Sequence, residues 1–122
     1  TLVEVIVALV LLSVFGVTIA AATGKLSSAA ATDGQYLVAL DLVNDRLATI
    51  QGDPAYLQLR TRYHGKENTL TGFPGLARTT TINRSVDTLV TGRLRDVTTI
   101  GVAVEGPGLK HPVSRTISRG AP

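Results

Sequence analysis

His64 and His111 are the only imidazoles in this sequence of 122 residues, and neither sits in a cluster of ligand-type side chains. Cysteine is absent, which removes thiolate metal sites, a cysteine nucleophile and any disulfide framework. Serine and threonine are plentiful, but no Gly-x-Ser-x-Gly elbow presents one to a base. Thr23-Gly24-Lys25-Leu26-Ser27 resembles the end of a phosphate-binding loop, yet the first glycine is misplaced and no strand precedes it. Asn83-Arg84-Ser85 fits a glycosylation sequon that three-residue chance readily explains. No catalytic residue, metal or cofactor is therefore expected.

Glu4 is different, because of where it stands. Residues 1–22 read TLVEVIVALVLLSVFGVTIAAA, with Glu4 the one charge and Thr1, Ser13 and Thr18 the hydroxyls. A bilayer core of about 30 Å needs roughly 20 apolar residues at about 1.5 Å each. This run meets that length and no later one does. A cleaved secretory signal would need a basic start, a shorter apolar run and a small-residue cleavage site, and the pattern here continues without a boundary. A retained membrane helix is the reading. An unpaired carboxylate inside it costs several kcal/mol, so Glu4 must be protonated, held at the headgroups, or paired.

The helix is expected to continue to about residue 51. Ala29, Ala30 and Ala31 are strong helix formers. From Tyr36, an apolar face gathers Tyr36, Leu37, Ala39, Leu40, Val43, Leu47 and Ile50, with Asp41, Asn44, Asp45 and Ala48 opposite. Val38 and Leu42 lie off that face and are candidates for contact between subunits. Gly52-Asp53-Pro54 ends the helix. Gly16 and Gly24 are its weak points, at roughly 1 kcal/mol each relative to alanine. With Gly34 a third, they are either hinges where the helix could extend or close-packing positions in a membrane.

The remainder changes character. Asp53 caps a short helix with Pro54 at its first turn, running to about Tyr63. A loop rich in Gly, Thr and Asn follows, with Phe73-Pro74-Gly75 as a turn. Three strand-like runs come next: residues 76–84, 96–105 and 112–118. In the second, Ile100, Val102 and Val104 alternate with Gly101 and Ala103. The fold class is α+β: a long N-terminal helix, membrane-spanning then amphipathic, packed on a small antiparallel sheet of three to four strands. Four segments result: residues 1–24 the apolar helix, 25–52 its amphipathic half, 53–75 a variable loop, and 76–122 the sheet. Charged residues at 17% and apolar ones at 44% exclude a disordered chain. Methionine is absent, and a processed product is expected.

The opening T-L-V-E-V-I-V-A-L-V-L-L resembles the mature N-terminus of type IV pilins and type II secretion pseudopilins. In that family a prepilin peptidase cuts after a glycine, the next residue is N-methylated, and the pattern runs Phe-Thr-Leu-(Val/Ile)-Glu. Thr1-Leu2-Val3-Glu4 match it from the second mature position, so the resemblance implies a methylated residue, and a leader, before Thr1. The long helix, variable loop and antiparallel sheet follow the same outline. Glu4 would pair with the N-terminal amine of a neighbouring subunit and so fix register. The family's C-terminal cysteine pair and helix-kinking proline are missing, and Gly16 or Gly24 would supply the flexibility.

The resemblance implies a structural subunit that is not an enzyme. It is stored in the bacterial inner membrane as a single-pass protein. It is then assembled by a platform and motor ATPase into an extracellular pilus or periplasmic pseudopilus serving adhesion, twitching motility or DNA uptake. Leu2, Val3, Val5, Ile6, Leu9, Val10, Leu12 and Phe15 would form the filament core, exchanging lipid for the helices of other copies. About 15 apolar side chains from Leu2 to Val17 at roughly 1.5–3 kcal/mol each set an upper bound of tens of kcal/mol. The alternatives are a pseudopilin or minor priming pilin and, from another class, a single-pass membrane-anchored binding domain that never polymerises. Arg60, Arg62, Arg78, Arg84, Arg93, Arg95, Arg115 and Arg119 raise DNA as a partner, since arginines repeated along a fibre could contact phosphates. Without an aromatic stacking platform, the favoured reading is a solvated basic surface or pairing between subunits with Asp41, Asp45, Asp87 and Asp96.

Overall fold

Helix α1 (Leu2–Gly52) is followed by a single 3-10 turn at Tyr56–Gln58 and the short helix α2 (Leu59–Tyr63). Four strands complete the chain: β1 (Gly65–Glu67), β2 (Ala77–Thr88), β3 (Leu94–Glu105) and β4 (Val113–Gly120). The computed structural model describes residues 1–122. They divide into two compact units, Thr1–Gly34 and Gln35–Pro122. The architecture is α+β, a long N-terminal helix with an antiparallel sheet, as the residue pattern predicts.

The second unit folds around that sheet. Strand order is β1-β2-β3-β4, every neighbour antiparallel. Ile82 stands opposite Ile100, which stands opposite Ile117; Val104 faces Val113 in the same way. Alternation places Thr98, Ile100, Val102 and Val104 on the buried face of β3 and leaves Thr99, Gly101 and Ala103 on the other. Against that face lie Ala39, Val43, Leu47 and Ile50 of α1, a stripe at helical spacing. Tyr56 and Leu59 close the core at the end of the helix.

The packed stripe differs from the expected one at both margins. Tyr36 and Leu37 are exposed, because burial begins only at Ala39. Leu42, expected off the packed face and free for another subunit, is instead half-buried against the core. Val38 is exposed. Helical phase fixes the angle of a residue but not how far the covering sheet extends, and flank positions such as Leu42 are the first to be covered. The strands also run past their expected ends, β2 to Thr88 and β4 to Gly120, and the three-residue β1 completes the sheet. Gly92 closes the β2–β3 hairpin at a φ of 75°, a left-handed conformation that favours glycine.

Candidate assembly surfaces

In the first unit, the helix leaves every apolar side chain from Leu2 to Ile19 exposed. It is long and apolar enough to cross a membrane. Its hydroxyls at Ser13, Thr18 and Thr23 are satisfied within the helix. Ser13 Oγ donates to the Val10 carbonyl at 2.8 Å, Thr18 Oγ1 to that of Phe15 at 2.8 Å, and Thr23 Oγ1 to that of Ile19 at 2.9 Å. Back-bonding of this kind removes polar groups that hydrocarbon cannot solvate. Between Leu2 and Ala22, only the Glu4 carboxylate remains to be matched from outside the helix ladder.

The Glu4 side chain is 84% exposed near the start of the helix. Leu2, Val3, Val5, Ile6, Leu9, Val10, Leu12 and Phe15 of the same helix are all exposed. Helical structure continues through Gly16 and Gly24, and neither has a neighbour within 4 Å of the space its Cβ would fill. Thr23-Gly24-Lys25-Leu26-Ser27 lies in the same helix, so the loop that a phosphate cradle requires is missing there.

In the second unit, the charged residues are organised around Asp53. This carboxylate is buried and accepts from the Ala55 amide at 2.8 Å, Arg62 Nη1 at 2.7 Å and the Tyr63 hydroxyl at 2.8 Å. The Ala55 amide, then Arg62 and Tyr63, hold its pKa down at about 2. Asp53 was expected to cap a regular helix; the bond to Ala55 instead anchors the 3-10 turn that precedes α2. Arg119 Nη1 donates to the carbonyls of Ile50 and Asp53 at 3.2 and 2.9 Å, tying β4 to the last turn of α1.

Asp96 receives Arg84 through two bonds and the Tyr56 hydroxyl at 3.1 Å. Arg84 lowers its pKa most. The expectation that Asp96 pairs between subunits is corrected here: its partner, Arg84, is in the same chain, brought within reach by the β2–β3 register. Glu67 takes Arg78 at 2.8 Å and Arg46 at 3.5 Å, and Arg78 lowers its pKa most. Arg115 Nη1 meets Asn44 Oδ1 at 2.7 Å. Of the eight arginines raised as DNA contacts, Arg62, Arg78, Arg84, Arg115 and Arg119 are thus bonded within the chain.

The resolved pKa shifts all run away from neutrality. Asp53, Glu67 and Asp96 go down, Arg62 and Arg84 go up, and the Asp53 carboxylate raises Tyr63. Groups tuned this way hold structure and are poor proton shuttles at pH 7. His64 Nδ1 accepts the Ile82 amide at 3.1 Å, a structural bond between the end of α2 and β2. No group of three His, Asp or Glu side chains is arranged to hold a metal ion.

Two features were not read from the sequence. Arg46 stacks over the Tyr63 ring at 5.0 Å while reaching Glu67. The tip of the β2–β3 hairpin exposes Val86, Leu89, Val90 and Leu94 beside Arg93 and Arg95. The signal available for the second was four apolar residues bracketing Gly92 in an otherwise polar stretch. Among known proteins, the chain matches no family model, no curated protein and no solved structure.

Proposed function

We propose that this chain is a structural subunit of a type IV pilus-like filament, held in a bilayer before assembly and packed through its N-terminal helix afterwards. One observation carries the reading: the first unit is an apolar helix with every side chain from Leu2 to Ile19 exposed and a lone carboxylate at Glu4. Such a surface is stable only when covered by lipid or by other apolar helices. Lipid covers it in the unassembled subunit; copies of the same helix cover it in the fibre. Head-to-tail contacts that do not close generate a filament.

Glu4 supplies register in this scheme. A carboxylate among apolar helices is costly when bare, so the stagger that brings it to an N-terminal amine of a neighbouring copy is selected over all others. The resemblance of Thr1-Leu2-Val3-Glu4 to the pilin and pseudopilin start supports the same arrangement, with prepilin peptidase, assembly platform and motor ATPase as its partners.

Electron microscopy of sheared surface material from cells producing the full chain tests the proposal. Fibres containing this chain as their main component are expected. Recovery of the chain solely as single copies in detergent-extracted membrane, under conditions where the assembly machinery is active, overturns it in favour of an anchored binding domain. Recovery only as a scarce component of fibres built from another subunit assigns it the role of a priming or tip pilin.

A further inference from the structure

The outward face of α1 and the tip of the β2–β3 hairpin are opposite in charge and alike in apolar exposure. β4 stops pairing with β3 at Val97, so the hairpin beyond it has no third strand. There Leu94 is 72% exposed and Val90 fully so. Arg93 and Arg95 form no salt bridge within the chain. Asp87 stands opposite Arg95 in the ladder, but its carboxylate accepts from Ser85 Oγ. The tip is therefore apolar with a net positive charge.

On α1, Leu37, Asp41 and Asp45 follow one another at four-residue spacing, and all three are exposed. Val38 borders the same row and is exposed. Neither Asp41 nor Asp45 has a cationic partner within the chain. Two like charges one helical turn apart repel, and a cationic neighbour relieves that repulsion.

The two patches lie toward opposite ends of the second unit. Arg115 reaches Asn44 and Arg119 reaches Ile50, so α1 runs beside β4 with its C-terminal end nearest the hairpin tip. Leu37 is then about 20 Å back along the helix at about 1.5 Å per residue. One molecule cannot close the contact on itself. Tip-to-tip pairing would oppose like charges, whereas tip-to-helix pairing joins unlike ones and repeats from copy to copy.

We propose that the hairpin tip of one copy docks on the Leu37–Asp45 face of α1 in the next copy, with Arg93 and Arg95 against Asp41 and Asp45 and with Val90 and Leu94 against Leu37 and Val38. This inference rests on the filament reading and specifies how neighbouring heads meet. The absence of cysteine allows a direct test in the full chain. Leu37→Cys with Val90→Cys, oxidised in assembled fibres, is expected to give a ladder of covalent multimers on a non-reducing gel. Either substitution alone is expected to give none. Arg93→Glu with Arg95→Glu should reduce fibre yield about tenfold, and adding Asp41→Arg with Asp45→Arg should restore it. Fibres of normal yield from the charge-reversed chain, with no ladder from the cysteine pair, overturn this contact and leave the filament reading standing. Absence of fibres from the unsubstituted chain removes the filament reading and this contact with it.

Discussion

Arg62 Nη1 donates to Asp53 Oδ2 across 2.7 Å, and the carboxylate it reaches is buried while the guanidinium is half exposed. Two further donors, the Ala55 amide and the Tyr63 hydroxyl, complete the coordination of Asp53. The end of α1, the 3-10 turn and α2 are thereby joined through one side chain.

An acid-sensitive joint follows from this. The folded pKa of Asp53 is about 2 against an ordinary value of 3.8. A depressed carboxylate stabilises the fold above its unfolded pKa, and that contribution is lost as pH falls through the folded one. The second unit should lose thermal stability between about pH 4 and about pH 2. Asp53→Asn should be less stable at pH 7 and show a flatter acid limb, as read by circular dichroism melts across that range. An unchanged acid limb in the variant would assign the sensitivity to Asp96 or Glu67, whose pKa values are also lowered.

Ile50 is fully buried at the last turn of α1, in the same cluster as Ile100 and Leu59. Ile50→Ala removes buried methyl groups and leaves a cavity, at a cost of about 2–5 kcal/mol. Denaturant melts of the detergent-solubilised chain should show this as a lower midpoint. Membrane insertion should be unaffected, because the apolar helix of the first unit contributes nothing to that cluster. A loss of insertion equal to the loss of fold would contradict the separation of the two roles.

Much of this core was legible beforehand. Alternation alone placed Ile100, Val102 and Val104 on one face, and Gly52-Asp53-Pro54 marked the end of α1. What escaped depends on distance in the fold. Three residues are too few for β1 to display a period of two, and it exists because β2 offers it Arg78–Thr80 as partners. Leu42 was misplaced because phase around a helix says nothing of where a sheet begins to cover it. Asp53 reads as a local cap, while its bonds to Arg62 and Tyr63 depend on the turn that α2 makes. The hairpin tip has no local signature beyond its apolar residues, since its exposure results from β4 ending early.

Thr98 carries the one buried side-chain polar atom that lacks a hydrogen-bond partner. It sits on the core face of β3, two residues before Ile100. A buried hydroxyl without a partner costs roughly 1–3 kcal/mol. Thr98→Val keeps the shape and removes the hydroxyl, so it should stabilise the second unit by about 1 kcal/mol. Thermal melts of the two chains compare directly. A destabilised Thr98→Val would show that a buried water satisfies the hydroxyl.

On the proposed filament reading, Glu4 provides the sharpest test of assembly, because the rest of its helix needs only an apolar cover. Ser13, Thr18 and Thr23 already satisfy their hydroxyls on backbone carbonyls, so replacing them changes little. Glu4→Leu makes the segment more apolar and should leave the membrane pool intact or enlarged. Its effect should fall on register, since an apolar rod packs at several staggers of similar energy once the carboxylate no longer selects one. Losing about 1.4 kcal/mol of that selection corresponds to a tenfold change in an equilibrium, and an unmatched N-terminal amine in the packed fibre costs more than that. Sheared-fibre yield from Glu4→Leu should therefore fall by about tenfold or more at unchanged membrane abundance, with Glu4→Asp intermediate because its shorter arm reaches the amine less well. Normal fibre yield from Glu4→Leu would remove the carboxylate from the assembly mechanism, and the apolar surface alone would then have to specify the stagger.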